Sequence, residues 1–162
     1  RTCVLELPEL TLLGCYFPNS RPEGARLSYK LDYCSAVEAL CADLAAEERS
    51  YVVCGDFNIA HRPIDLARPK QNEGNPGYLP EERAWMDRFV AAGHIDTFRL
   101  FCEEGGHYTW WSYIGRAREQ NIGWRLDYHC VPTYMRPVVR SSRILSDVFG
   151  SDHCPVVLEL DI

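Results

Sequence analysis

Residues 51–58 read Tyr51-Val52-Val53-Cys54-Gly55-Asp56-Phe57-Asn58, and this stretch decides the fold. Its first four residues form a continuous apolar run that Gly55 closes, which predicts a strand buried on both faces. Asp56 and Asn58 follow at once, where α/β sheets present functional groups at strand ends. Alternation along the extended chain would direct both polar side chains the same way, with Phe57 packing opposite.

The neighbouring segments predict a mixed α and β architecture around this strand. In chain order we expect a hairpin of residues 4–7 and 10–17, a helix within residues 25–46, a long loop at 59–79, a helix from Pro80 that Gly93 ends, and strands at 108–111, 124–131 and 155–160. The long loop holds several prolines and glycines, and segments of this kind are usually functional or disordered.

The composition is typical of one globular domain of 162 residues. No apolar run approaches the roughly 20 residues needed to cross a bilayer. The eight cysteines include no CxxC pair. Cys15, Cys54 and Cys130 fall inside predicted strands, and Cys34 and Cys41 fall inside one predicted helix. We therefore interpret the cysteines as buried thiols and expect a cytoplasmic protein, nucleoid-associated if bacterial. The chain begins inside a strand without a methionine, from which we expect that upstream sequence is missing.

The net charge of −6 argues weakly against a nucleic-acid partner. Carboxylates gathered around a cation could account for the acidic sum while a DNA-facing surface stays positive. The basic residues do cluster, and the two groups are Arg116, Arg118 and Arg125, then Arg136, Arg140 and Arg143. A plain solvated face is an equally good interpretation of these arginines.

Several other side chains could carry chemistry. Asp152 suits a hard cation such as Mg²⁺, and the adjacent His153 could meet a phosphate oxygen. Asp127 lies between apolar neighbours in a predicted strand, and a histidine ring would be an apt partner for its carboxylate. Asp56 could take a proton from water while Asn58 fixes its orientation. Each of these residues alone is also explained as a polar strand end or turn.

Aromatic and amide side chains form the last group of candidates. Trp110, Trp111 and Trp124 could stack on a base or exclude one, although core packing is the better interpretation of Trp111. Tyr16 and Asn19 end the predicted hairpin strand and offer hydrogen-bond donors to a phosphate.

Together these motifs resemble the exonuclease III family of apurinic/apyrimidinic endonucleases, within the endonuclease/exonuclease/phosphatase superfamily. The family's segments appear in order as GDFN at 55–58, GWRLDY at 123–128 and GSDHCP at 150–155, with further matches at 16–19, 64–66, 72–77 and 108–111. The first and third are shared across the superfamily. GWRLDY, the loop at Asn72 and the segment 108–111 narrow the resemblance to the DNA-repair branch, nearer its abasic endonucleases than exonuclease III itself.

The resemblance implies catalytic roles. Asp56 would activate or orient the attacking water, and Asn58 would hold this water and the phosphate. His153, oriented by Asp127, would stabilise charge on the phosphoryl oxygens. Asp152 and Asp56 would contribute to a site for Mg²⁺, with Mn²⁺ as a possible substitute.

The resemblance also implies DNA contacts, on double-stranded DNA with abasic sites or 3′ ends. Tyr16 and Asn19 would touch the scissile phosphate, with Tyr16 counted among the catalytic residues, and Asn72 would touch the backbone. A pocket for the flipped-out abasic sugar would be lined by Trp110, Trp124 and Leu126. A site without base pairing is also the cheapest to extrude from a duplex.

The implied fold is half of a four-layered α/β sandwich, DNase I-like, with one mixed β-sheet and helices on one face. Residues 1–162 would be the C-terminal half, because the family's other half supplies an asparagine and the glutamate that is a main metal ligand. We therefore expect the isolated chain to be inactive without its N-terminal half or a partner chain. The inner sheet face would be exposed or covered by that partner.

The leading hypothesis is thus a Mg²⁺-dependent abasic-site endonuclease with 3′-phosphodiesterase or 3′–5′ exonuclease activity. One alternative is a superfamily phosphatase acting on inositol phosphates or sphingomyelin, against which GWRLDY and the loop at Asn72 count. The other alternative is a catalytically dead DNA-binding remnant.

Overall fold

A computed structural model describes residues 1–162, and its centre is the strand that the sequence predicts at residue 51. The strands are β1 (Thr2–Glu6), β2 (Thr11–Tyr16), β3 (Tyr51–Asp56), β4 (His94–Asp96), β5 (Trp110–Trp111), β6 (Gly123–Trp124), β7 (Asp127–Pro132), β8 (Val139–Ile144) and β9 (Val156–Leu160). The helices are α1 (Leu27–Ala46) and α2 (Pro80–Ala91). Short 3-10 turns occupy several of the connections.

Five strands form one mixed sheet in the order β1-β2-β3-β7-β4. The β2–β3 pair is parallel, because α1 connects these strands, and the other pairs are antiparallel. Two small hairpins, β5–β6 and β8–β9, lie outside this sheet. The mixed sheet confirms the predicted fold class.

The two helices pack together on one sheet face, as predicted. They bury Cys34, Val37 and Cys41 of α1 and Trp85, Met86 and Phe89 of α2 against Leu13, Val53 and Cys130 of the strands. Along each strand the alternate residues point away from this core, which is the period-two pattern of a sheet. Each helix thus contributes an apolar stripe of the kind that the periodicity indicates.

The opposite sheet face is partly covered by the chain itself. Val52 and Val131 of the sheet pack with Met135, and with the half-buried Leu158 and Leu160 of β9. The expectation of an exposed or partner-covered face is therefore wrong for the central strands, because β8–β9 folds back over them. The edge strand β1 is exposed along its whole length.

Three local differences from the sequence-based elements have clear causes. The segment 124–131 divides into β6 and β7, because the amides of Arg125 and Leu126 bond to Asp65 O at 2.7 Å and Thr109 Oγ1 at 2.9 Å instead of a neighbouring strand. The loop at 59–79 contains 3-10 turns at Pro63–Asp65 and Pro69–Gln71. The short β4 and the arginine-containing β8 are not predicted from the sequence, because neither has a clear alternation of apolar and polar residues.

All eight cysteines are free thiols, and five of them are buried, as predicted. The prediction of burial is wrong for Cys3, which is exposed, and for Cys54 and Cys102, which are half-buried. No helix is long and apolar enough to cross a membrane.

Candidate active site

The first part of the site is the end of β3. Gly55 has φ 126°, and a Cβ at this position would lie 2.1 Å from the carbonyl oxygen of Cys15. Only glycine allows this approach of β3 to β2. Asn58 has φ 51° and donates its backbone N–H to Asp56 Oδ1 and its Nδ2 to Asp56 Oδ2, both at 2.8 Å. Asn58 thus holds both carboxylate oxygens, one through its backbone N–H and the other through its carboxamide.

The end of β2 lies beside this pair. Tyr16 and Asp56 are register partners in the parallel ladder, and the Tyr16 side chain is half exposed. Asn19 Nδ2 donates to Asn58 Oδ1 at 3.2 Å, and Asn58 Nδ2 also reaches Phe17 O at 3.1 Å. Asn58 therefore joins the two strand ends into one network.

The third contribution comes from β7 and the segment before β9. Asp127 is the direct register partner of Asp56 in the antiparallel β3–β7 ladder. His153 Nδ1 lies 2.8 Å from Asp127 Oδ2, an arrangement in which Nδ1–H donates and Nε2 faces away from the carboxylate. This pairing is the one that the sequence predicts, and it fixes the ring in the way an Asp–His couple does in other enzymes.

Asp152 is held by the β5 strand. Trp110 Nε1 donates to Asp152 Oδ2 at 3.0 Å, and Trp111 N–H donates to the Asp152 carbonyl at 2.9 Å. Trp110 and His153 also form an isolated antiparallel bridge. Asp152 is thus held by Trp110 and Trp111, and His153 is paired with Trp110.

The titration of the site follows from these contacts. Burial raises the pKa of Asp56 to about 6, and the nearby Asp127 carboxylate adds to this. Burial lowers the pKa of His153, but the Asp127 hydrogen bond and charge outweigh it and raise the pKa above the usual value. Burial also opposes ionisation of Asp152, yet the hydrogen bond from Trp110 leaves its pKa lowered. Perturbed groups gathered in a cleft are typical of catalytic sites.

One cleft of about 940 Å³ gathers nearly all the candidate residues. It is lined by Tyr16, Asn19, Asp56, Asn58, Asn72, Trp110, Trp124, Leu126, Asp152 and His153. Asp127 does not line it and stands behind the His153 ring. Residues far apart in the chain therefore share one concave surface.

The aromatic wall of the cleft is built on the β5–β6 hairpin. Trp110 and Trp124 are register partners across this hairpin. Tyr78 meets Trp124 edge-on, with ring centroids 6.4 Å apart, and Leu126 is buried beside them. Trp111 is buried instead in a separate small core, which confirms the packing interpretation.

Asn72 uses its side chain within its own loop. Its Nδ2 donates to Ala67 O at 3.2 Å and Arg68 O at 3.1 Å, and its Oδ1 accepts from Asn75 Nδ2 at 3.0 Å. These bonds shape the loop at the edge of the cleft. Because Nδ2 already donates within the loop, a contact of Asn72 with DNA would use the second lone pair of Oδ1 or the backbone of Asn72.

The interpretation of the arginines as a DNA-facing surface is wrong for Arg125. This side chain is 1% exposed, and it bonds to Asp65 Oδ1 through Nε at 2.8 Å and to both Asp96 oxygens. Such a buried cluster anchors the segment between β6 and β7. Arg140 and Arg143 pair with Asp161 and Glu159. Arg116 and Arg136 are exposed.

The sequence interpretation missed a buried ion pair beneath the site. Lys30 Nζ donates to Glu82 Oε1 and to the Asn58 carbonyl oxygen, both at 2.7 Å, and both side chains of the ion pair are fully buried. Glu82 also accepts from Ser20 Oγ and Leu79 N–H. The sequence does indicate that Lys30 is buried, because Lys30 lies four residues before Cys34 and therefore on the buried face of α1.

The described residues do not complete a metal site. No group of three or more His, Cys, Asp or Glu side chains is placed to hold an ion. Both Asp56 oxygens accept bonds from Asn58, and one Asp152 oxygen accepts from Trp110. The two carboxylates offer part of an oxygen ligand set for a hard cation, which in proteins takes six or more oxygens including waters.

The comparison with solved structures defines the class of fold. An AP endonuclease from Leishmania major superposes with a TM-score of 0.89 at 26% identity, over 98% of this chain and 53% of that one. A 3′-5′ exonuclease from Neisseria meningitidis gives a TM-score of 0.90 at 24% identity, over 100% of this chain and 65% of that one. The chain therefore has the DNase I-like fold of these nucleases.

The family model described as the endonuclease/exonuclease/phosphatase family matches residues 3–153. The chain belongs to this family. It is 39% identical to the exodeoxyribonuclease of Bacillus subtilis and 38% identical to the DNA repair nuclease APEX1 of Danio rerio, each over the whole chain. The chain spans 64% and 52% of the lengths of these two relatives. The predicted resemblance to the exonuclease III and abasic-endonuclease branch is confirmed.

Proposed function

We propose that this chain carries most of the catalytic machinery of a nuclease that hydrolyses the DNA backbone 5′ to abasic sites. We propose 3′-phosphodiesterase or 3′–5′ exonuclease activity at the same site. One observation carries the proposal. The pairing of β3 with β7 places Asp56 and Asn58 beside Asp127 and its partner His153, next to an aromatic pocket. The confirmed family and its DNA-repair relatives support this substrate class.

The reaction follows from the positions of these side chains. Asp56 takes a proton from a water molecule whose oxygen attacks the phosphorus, and Asn58 keeps the carboxylate turned toward that water. The bond from phosphorus to the 3′ oxygen breaks, and this oxygen leaves with a proton from solvent. The products are a 3′-hydroxyl and a 5′-phosphate on the abasic residue.

The phosphoryl group needs donors as negative charge develops on its oxygens. His153 points Nε2 away from Asp127, and the raised pKa of the ring favours the charged form that donates. Tyr16 and Asn19 lie at the adjoining strand end and offer an O–H and an N–H. We assign these three side chains to the scissile phosphate.

A divalent cation, Mg²⁺ or alternatively Mn²⁺, would screen charge on the leaving oxygen when bound. Asp152 and Asp56 would be the ligands from this chain, and further ligands must come from outside the described residues. We therefore propose that residues 1–162 act as the C-terminal half of a larger catalytic domain, completed by an N-terminal half or a partner chain. The remaining length of the relatives supports this arrangement.

The pocket of Trp110, Trp124 and Leu126 is proposed to accept the extruded abasic sugar and to exclude a base. We predict that Trp124→Ala lowers discrimination between abasic and intact duplexes by about tenfold or more, because the truncated wall leaves room for a base; tenfold corresponds to about 1.4 kcal/mol. Competition cleavage of the two duplexes measures this ratio. Tyr29→Ala, an exposed aromatic truncation on α1, is the matched control and should leave it unchanged.

The pH profile of cleavage should be bell-shaped. The ionised form of Asp56 is the base, so kcat/KM should rise with pH through about 6, the raised pKa of this carboxyl. Activity should fall again at a pH above the ordinary histidine value of 6.5, because His153 then loses its proton. An acid limb near the ordinary aspartate value of 3.8 would exclude Asp56 as the base.

The proposed function is tested with the full-length protein that contains this chain. A duplex with a single abasic analogue should be cut on its 5′ side in the presence of Mg²⁺, and an otherwise identical intact duplex should not be cut internally. Release of phosphate from inositol phosphates, or cleavage of sphingomyelin, with no DNA cleavage would favour the phosphatase alternative. DNA binding without any cleavage would favour the inactive remnant.

A further inference from the structure

Arg118 lies in the connection between β5 and β6 and makes an unusual set of contacts. Its guanidinium is placed between two aromatic rings, 4.6 Å from the Trp111 centroid and 4.4 Å from the Phe149 centroid. Contacts of this kind attract the cation to the ring face. Phe149 itself is 75% exposed, so Arg118 is a principal packing partner for it.

The same guanidinium also bonds to the backbone of one loop. Nη1 donates to Ser151 O at 3.1 Å, and Nη2 donates to Ser146 O at 2.8 Å and Val148 O at 2.6 Å. No carboxylate forms a salt bridge with Arg118. Its charge is therefore directed to three carbonyls of the segment between β8 and β9.

Within this segment, residues 145–151, all residues after Leu145 are exposed, and few backbone hydrogen bonds support them. Within the segment, Val148 N–H donates to Leu145 O at 3.0 Å. At its end, Ser151 Oγ accepts a hydrogen bond from His153 N–H at 3.1 Å. Exposed loops with so few internal bonds open easily. Arg118 supplies three further bonds to it from outside.

The loop leads directly into Asp152 and His153. Trp110 holds these two residues from the cleft side, through its bond to Asp152 and its bridge to His153. Arg118 holds the preceding peptide, Ser151, from the opposite end. The contacts of Trp110 and Arg118 thus flank the His153 ring along the chain.

We propose that Arg118 is a positioning residue for the reaction, holding residues 146–151 so that His153 stays in register with Asp127 and the phosphate. This inference rests on the proposed function, because it concerns the same site. Arg118 does not line the cleft and touches neither substrate nor the reacting atoms. Misplacing a catalytic group by about 1 Å can cost on the order of 100-fold in rate.

The test compares Arg118→Met with Arg116→Met in the full-length protein. Methionine keeps much of the volume and removes the donors. We expect Arg118→Met to lower kcat for the abasic duplex by on the order of 100-fold, with KM and DNA affinity within about threefold. Arg116 is the matched control, because it is 80% exposed on the same connection and pairs only with Glu119 at 3.6 Å. Its loss should leave kcat unchanged.

A second readout does not depend on activity. In the full-length protein, hydrogen exchange of the Val148 and His153 amides should become at least tenfold faster in Arg118→Met and stay unchanged in Arg116→Met. Arg118→Lys should recover part of kcat, because one ammonium keeps the charge between the rings but cannot span three carbonyls.

The outcomes separate the two proposals. A wild-type protein that does not cut abasic DNA would refute the proposed function, while the exchange result would still report whether Arg118 holds the loop. A kcat for Arg118→Met within about threefold of wild type, or unchanged exchange at His153, would overturn the positioning role. Measurements are made below the melting temperature of each variant, so that unfolding does not imitate either effect.

Discussion

Asp56→Asn is expected to lower kcat for an abasic duplex by about three orders of magnitude, within the range that a general base supplies. The affinity for that duplex should stay within a few-fold, because the substitution keeps the shape of the side chain and the proposed phosphate donors, Tyr16, Asn19 and His153, are unchanged. Single-turnover cleavage and equilibrium binding measure the two quantities separately. Asp43→Asn is the matched control, since Asp43 is an exposed carboxylate on α1. Near-normal turnover in Asp56→Asn would remove this residue from the chemistry.

The same variant should change the pH dependence of stability. The folded-state pKa of Asp56 is raised from 3.8 to about 6, so its ionisation costs stability as the pH rises through this interval. Removing the charge should therefore stabilise the protein above pH 6, by at most about 3 kcal/mol. The gain is reduced because asparagine accepts only one of the two bonds from Asn58. Below pH 4 the gain should vanish, and denaturant titrations at pH 4 and 8 check this sign.

Lys30→Met is expected to cause the largest loss of stability, about 3–5 kcal/mol, as when one partner of a buried ion pair is removed. Glu82 would be left fully buried without its cation, and the Asn58 carbonyl would lose its donor. Chemical denaturation of the full-length protein measures the free energy of unfolding. Lys70→Met provides the control, because Lys70 is the chain's other lysine and is exposed.

A double variant separates loss of the ion pair from loss of packing. Lys30→Met combined with Glu82→Gln removes both charges, while glutamine still accepts from Leu79 N–H. Its destabilisation should be smaller than the sum of the two single variants by more than about 1 kcal/mol, because neither charge is left alone. Strict additivity would show that Lys30 and Glu82 do not act as a pair.

Site residues could be predicted from the sequence where the type of side chain and its position in a predicted strand both indicate a functional group. Asp56 and Asn58 follow a short apolar run closed by Gly55, which favours a buried strand, so their position at its end could be predicted. Asp127 could be paired with a histidine because a carboxylate among apolar neighbours needs a partner. The predicted site residues are brought to one cleft, although their roles stay predictions.

Other features depend on contacts that no local pattern encodes. Arg125 looks like part of a basic surface, yet Asp65 and Asp96 surround it after folding. Strand β8 carries arginines that pair across the β8–β9 hairpin, which hides its periodicity. Lys30 differs from these cases, because a local pattern does reveal it. A charged residue on the apolar stripe of α1 predicts a buried acidic partner.

The register of β3 against β7 has a consequence for how activity is acquired. Asp56 and Asp127 are opposite each other only when the ladder is formed without a shift, because a slip of one residue would send one of them to the other sheet face. These strands lie far apart in the chain, and pairing of this kind is among the slower steps in the folding of β-rich proteins. During refolding, cleavage should therefore return together with the last non-local pairing. In the full-length protein, recovery of the proposed cleavage activity would then report when the pairing of β3 with β7 is complete.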